Sequence, residues 1–132
     1  MTSAARDDRV LLLPLTAKDG AATLLLLGSA GVDAHVCPDF DTVLAELEGG
    51  AATLLVAEER MTRSYGERLA AVVAAQPPWS DLPILFITRH GADSPAARDA
   101  VLSFGNVTLL ERPLRISTLL SAVQPALRAR KR

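Results

Sequence analysis

Short apolar runs alternate along this chain with stretches in which apolar residues recur every three or four positions. That rhythm repeats five times. Val10–Leu13 is an unbroken apolar run and predicts a buried strand, β1, ended by Pro14. Lys18-Asp19-Gly20 opens a helix, α1, with Asp19 as its expected cap, and the helix runs to about Ala30 and stops at Gly31. Asp33–Cys37 alternates and predicts an edge strand, β2. After Pro38-Asp39, residues Phe40, Val43, Leu44 and Leu47 fall on one face of a helix, α2, which Gly49-Gly50 ends.

Ala52–Ala57 is apolar apart from Thr53, as expected of a central parallel strand, β3. A helix, α3, is predicted over Tyr65–Ala75 with Leu69, Val72 and Val73 inward, followed by a loop over Gln76–Leu82 containing Pro77-Pro78. Pro83–Thr88 reads as β4, Pro95–Phe104 as α4 with Gly105-Asn106 as its stop, and Val107–Leu110 as β5. Ile116, Leu119, Leu120, Val123 and Leu127 form the inward stripe of a last helix, α5, in which Pro125 is expected to make a kink or a break.

Five strands joined by helices make a doubly wound parallel (βα)5 sheet, for which right-handed crossovers leave few topologies. The flavodoxin-like order 2-1-3-4-5 is the expectation. Its crevice lies outside the carboxyl ends of the strands, near β1 and β3. Pro14, Leu15, Glu58, Thr88 and Arg112 would gather there.

Composition narrows the class. The chain has 132 residues, enough for one domain with a real core, and 49% of them are hydrophobic, chiefly Leu, Ala and Val. A formal net charge of −1 gives no general attraction to nucleic acid or to an anionic membrane. The single cysteine, Cys37, forbids an intramolecular disulfide and suits a reducing cytoplasm. No run reaches the roughly 20 apolar residues of a membrane helix. Residues 1–8 read as a disordered leader without the apolar core of a secretion signal, 9–128 as the domain, and 129–132 as a basic tail or the start of a linker. Phosphate-loop, dinucleotide and nucleophile-elbow motifs are missing, and His35, His90 and Cys37 match no zinc spacing. No cofactor or metal is expected.

Four motifs, each at a strand end and in the right order, carry a resemblance to the receiver domains of two-component response regulators, over about Arg9 to Arg128. Glu58, after β3, stands where that family has its phosphoacceptor aspartate, with Met61 three residues on. Thr88 matches the hydroxyl residue that senses the phosphoryl group, and Arg112-Pro113 matches a Lys-Pro pair whose lysine contacts phosphate. The resemblance also implies two acidic residues after β1 that hold Mg²⁺. Here those positions are Pro14 and Leu15, which offer no side-chain oxygen to a hard cation. Asp7 and Asp8 precede β1, at the opposite edge of the sheet, and cannot replace them. Glutamate places its carboxylate about 1.5 Å further out than aspartate, and a misalignment near 1 Å costs a transfer reaction on the order of 100-fold.

The expectation is therefore an atypical receiver-like module of a two-component or phosphorelay system. It is not phosphorylated, is not itself an enzyme, and works through protein contacts. Glu58 is read either as a fixed partial mimic of the phosphorylated state or as a solvated strand-end carboxylate. A Glu58–Arg112 ion pair across the crevice is the specific structural expectation. The resemblance implies a kinase or output domain as partner, in cis or in trans, and the basic end after α5 suits the N-terminal module of a hybrid sensor histidine kinase. A homodimer contact is placed on α4–β5–α5, through Arg98, Asp99, Asn106, Thr108, Arg115 and Thr118. Two other readings stand beside it: a working receiver phosphorylated at Glu58 or a neighbouring acid, and a flavodoxin-like binder of a nucleotide or other small anion at Arg89, His90 and Arg112.

Overall fold

The computed structural model describes residues 8–75, 82–89, 95–104, 106–112 and 114–130. Expectations for the leader, the Pro77-Pro78 loop, His90, Gly105, Pro113 and the last two residues lie outside that set. The strands are β1 Val10–Leu13, β2 Ala34–Val36, β3 Thr53–Ala57, β4 Ile84–Thr88 and β5 Val107–Glu111. All pairings are parallel and the order is β2-β1-β3-β4-β5, as the sequence predicts. The helices are α1 Ala17–Ser29, α2 Phe40–Glu48, α3 Arg63–Ala74, α4 Pro95–Ser103 and α5 Ile116–Arg130.

Alternation along the strands sorts their side chains into two cores. Leu11, Leu54, Val56, Ile84 and Phe86 pack against α2, α3 and α4. Val10, Leu12, Leu55 and Leu85 pack against Leu27 of α1 and Leu119 and Val123 of α5. Both faces of the sheet are covered, so β1 and β3 are buried at every position. Continuous apolar strands follow from that double burial.

Local chemistry fixes the ends of the helices. Thr16, not Asp19, caps α1: its Oγ1 accepts the Asp19 N–H at 3.1 Å, and Asp19 sits in the first turn, where a carboxylate suits the helix dipole. Gly31 follows with φ 78°, a left-handed turn that a side chain would resist. Asp39 and Thr62 cap α2 and α3 in the same way. Ile116, expected inward, is 52% exposed at the first position of α5; the buried stripe is Leu119, Val123 and Ala126. Nor does Pro125 break α5, which continues to Arg130. Both Pro125 and Ser121, whose carbonyl loses its helical partner, face solvent.

One buried cation ties the amino end of the sheet to a helix. Arg9, 6% exposed, donates from Nε to the Gly50 carbonyl at 2.9 Å and from Nη2 to the Glu46 carbonyl at 2.7 Å. Its Nη1 lies 2.9 Å from the Glu46 carboxylate. The guanidinium thus takes the Gly50 carbonyl just past α2 and shares the Glu46 carbonyl with the Gly49 N–H. Beside it, Cys37 is 1% exposed, and burial, reinforced by the Glu46 charge, pushes its thiol up to about 11.

Arg9→Ala is expected to lower stability by about 3 kcal/mol, since it leaves the Gly50 carbonyl without this bond, removes one of the two bonds to the Glu46 carbonyl and leaves a partly buried carboxylate unpaired. Arg9→Lys keeps the charge but not the fork and should recover part of that loss. Urea unfolding at neutral pH measures both. A change below about 0.5 kcal/mol, the size of an ordinary surface substitution, would contradict this role.

Candidate functional site

The crest of the sheet is organised by one short turn. β3 is buried along its whole length, so its first charged residue comes only where it leaves the sheet. There the chain enters a 3-10 turn over Glu58–Arg60. With three residues per turn, successive side chains in such a turn point about 120° apart. Glu58, Glu59 and Arg60 therefore fan out to three different parts of the crest.

Glu58 turns toward β4 and its Oε2 accepts the backbone N–H of Arg89. Glu59 reaches β5, where its Oε2 takes a hydrogen bond from Arg112 Nη1 at 2.7 Å. Arg60 points the other way. Its Nη1 donates to the Pro14 carbonyl and its Nη2 to the Pro38 carbonyl, each at 2.8 Å. One guanidinium fork clamps the loop after β1 to the loop after β2. The expected Glu58–Arg112 ion pair is thus corrected: Arg112 pairs with Glu59. The sequence reading placed both acids on a strand end, where neighbours point 180° apart, and the 3-10 turn aims the second one at β5 instead.

The positions expected to have lost a metal site are filled by packing. Pro14 lies against α1 at Gly20, where an added Cβ would come within 2.9 Å of the Pro14 ring. Only a glycine lets the helix approach so closely. Leu15 lines the crevice beside it. Arg60, which the sequence reading passed over, places a cation on the Pro14 carbonyl itself. The signal for it was the acid-acid-base triplet immediately after a buried strand. Among the described residues no three His, Cys, Asp or Glu side chains are grouped to hold a metal ion.

Thr88 is fully buried and its Oγ1 has no hydrogen-bond partner among the described residues. The bond to nearby backbone that the sequence allows for this hydroxyl is not found among them. Thr53, equally buried, shows the usual solution, donating to the Pro83 carbonyl at 2.7 Å. Arg89 is exposed, and Arg112 is held to β4 through its backbone N–H on the Thr88 carbonyl at 2.9 Å. On the α4–β5–α5 side, Arg98, Asp99, Thr108, Arg115 and Thr118 are exposed and Asn106 is half-buried, with Leu102 exposed among them.

Burial by itself would raise the Glu59 carboxyl. The hydrogen bond from Arg112 and the charges of Arg112 and Arg89 outweigh it, and hold the carboxyl below its ordinary value of 4.5. A depressed carboxylate stabilises the fold above its unfolded pKa and loses that contribution as pH falls through the folded one. Arg112→Gln should therefore cost about 0.5–1 kcal/mol at neutral pH, the scale of a partly exposed pair. The gap to wild type should close on acidification below the ordinary carboxylate range. A gap unchanged by pH in urea titrations would assign the loss to packing.

Thr88→Val removes an orphaned buried hydroxyl at nearly constant shape. It should leave stability unchanged or raise it by about 1 kcal/mol, where burying a polar group without a bond ordinarily costs that much. Thermal and urea unfolding of the variant decide this. A clear loss would mean that the hydroxyl is bonded in solution.

Comparison with known proteins fits this geometry. No protein-family model matches the chain, and no curated protein sequence matches it. Solved structures do. The chain is similar to full-length FixJ from B. japonicum, with 25% identity and a TM-score of 0.75, over 96% of this chain and 60% of that one. It is similar to a response regulator receiver protein from Burkholderia phymatum, with 24% identity and a TM-score of 0.68, over 89% and 93%. It is also similar to the receiver domain of a sensor histidine kinase from Pseudomonas aeruginosa PAO1, crystallised with a magnesium ion in its active-site cleft. That match has 17% identity and a TM-score of 0.73, over 91% and 97%. With the strand order, the double-sided helical cover and the crest motifs in place, the chain has the fold of the response-regulator receiver domains.

Proposed function

We propose that this chain is a receiver-type signalling domain of a two-component or phosphorelay system that is held in one state and is not phosphorylated. It acts as a regulatory protein–protein interaction module. The observation that carries the reading is the three-way fan from Glu58–Arg60. A phosphoryl group bound at such a crest would draw together the ends of β3, β4 and β5. Here two carboxylates already do so, Glu58 on the Arg89 N–H and Glu59 on the Arg112 guanidinium. Glu59 thus joins Glu58 in the mimic, and occupies the cation that the receiver resemblance assigns to phosphate.

The metal side of the chemistry is opposed by the same turn. Acceptance of phosphate by a carboxylate depends on a cation to neutralise the transferring group. Pro14 and Leu15 supply no ligand, and Arg60 lies over the Pro14 carbonyl. A fixed guanidinium there repels a divalent ion rather than binding it. A kinase or output domain, in cis or in trans, is the partner we assign. The α4–β5–α5 surface, with its mixed charge and exposed Leu102, is the place we assign for that contact or for a homodimer.

The test is incubation with Mg²⁺ and a small-molecule phosphodonor, followed by intact-protein mass spectrometry under mild conditions. The expected outcome is no phosphoryl mass and no effect of Mg²⁺ on the melting curve. A labile adduct mapping to Glu58 or Glu59 would overturn the reading and make the domain a live switch.

A further inference from the structure

A cavity of about 520 Å³ opens at the carboxyl end of the sheet, between α1 and α5. Its size falls within the roughly 300–1,000 Å³ of small-molecule sites. The floor is Leu12, Leu55 and Ile87, on the sheet face that α1 and α5 cover, and Leu26, Leu114 and Leu119 form the walls. The space stays open because α1 presents Ala22 and Thr23 here rather than larger apolar residues. Leu15, at a position that the receiver resemblance gives to a metal-binding acid, adds to the apolar wall.

The polar lining is lopsided. Arg89, Arg112 and Arg115 meet at the cavity, and Asp19 is the only acidic residue among those that line it. Arg112 uses Nη1 on Glu59, one of five N–H donors in its fork. Arg89 and Arg115 are exposed, and their guanidiniums form no ion pair among the described residues. Guanidinium forks set around an apolar recess match a ligand with an anionic head and an apolar body, since the head takes charge-assisted hydrogen bonds while the body leaves water.

We infer that this cavity is a binding site for a small organic anion, an apolar body ending in one carboxylate or phosphate group, with the head held by Arg89, Arg112 and Arg115 and the body lying on Leu12, Leu55 and Ile87. The site lies on the opposite face of the sheet from Thr88 and needs no metal. It shares Arg112 with the crest, whereas Arg115 and the apolar recess take no part in the Glu58 and Glu59 contacts. A phosphoryl adduct would overturn the proposed function, and probe binding by the unphosphorylated chain tests this site separately.

The experiment uses octanoate and octyl phosphate as probes, with acetate, inorganic phosphate and octanol as head-only and body-only controls. Binding is followed by methyl NMR of the whole chain and by thermal shift. Octanoate or octyl phosphate should move the methyl signals of Leu26, Ile87 and Leu114 and leave those of Val43 and Val56, on the other face, in place. Each control should bind at least about tenfold more weakly, the equivalent of one charge-assisted hydrogen bond. Arg89→Ala with Arg115→Ala should weaken the probe by a similar factor. Ala22→Phe, at an exposed helical position, should fill the recess and abolish binding without lowering the melting temperature of the free protein. If only one of the two head groups binds, it names the ligand class. Equal binding of octanol, shifts spread over both faces, or full binding by the Ala22→Phe variant would each overturn the site.

Discussion

The double burial of β3 is the constraint on which the crest depends. A central parallel strand with helices on both faces has no room for a charged side chain, so its charged residues must follow it. Here they form a single 3-10 turn, and its 120° steps send three side chains to three separate contacts. The ends of β4 and β5 are tied on one side, and the loops after β1 and β2 on the other. A strand continuing for one more residue would have pointed the two carboxylates to opposite faces of the sheet and left these contacts unmade.

Pro14 and Leu15 are coherent with their surroundings. The basic side chains of the crest are satisfied in two ways: Arg60 finds carbonyl oxygens, and Arg112 finds Glu59. Gly20 allows the Pro14 ring to seat against α1, so this corner of the crest is packed rather than hollow. Thr88 is the exception. Its buried hydroxyl has no bond partner among the described residues, an arrangement that ordinarily costs stability.

Much of this was legible in the sequence. The strands declared themselves because burial on both faces makes a continuous apolar run, and their order followed from the crossover rule. The gathering of Pro14, Leu15, Glu58 and Arg112 at the carboxyl end of the sheet followed from the strand order. Which glutamate meets Arg112 was hidden, because it turns on the difference between a strand end and a 3-10 turn, and three residues of sequence do not distinguish them. The position of Ile116 was misread because a helical period does not reveal which turns of a helix are covered. The cavity was invisible for a similar reason. A pattern shows which way Ala22 faces, but not whether a neighbour fills the space that its small side chain leaves.

Cys37 gives the fold an internal clock. The chain's only thiol lies behind the short edge strand β2, and burial with a nearby carboxylate keeps it protonated and unreactive at neutral pH. It becomes available to an alkylating reagent only when that edge opens. Because Arg60 staples the loop immediately after Cys37, the rate at which this sulfur is modified reports how often the β2 edge and the crest come apart together.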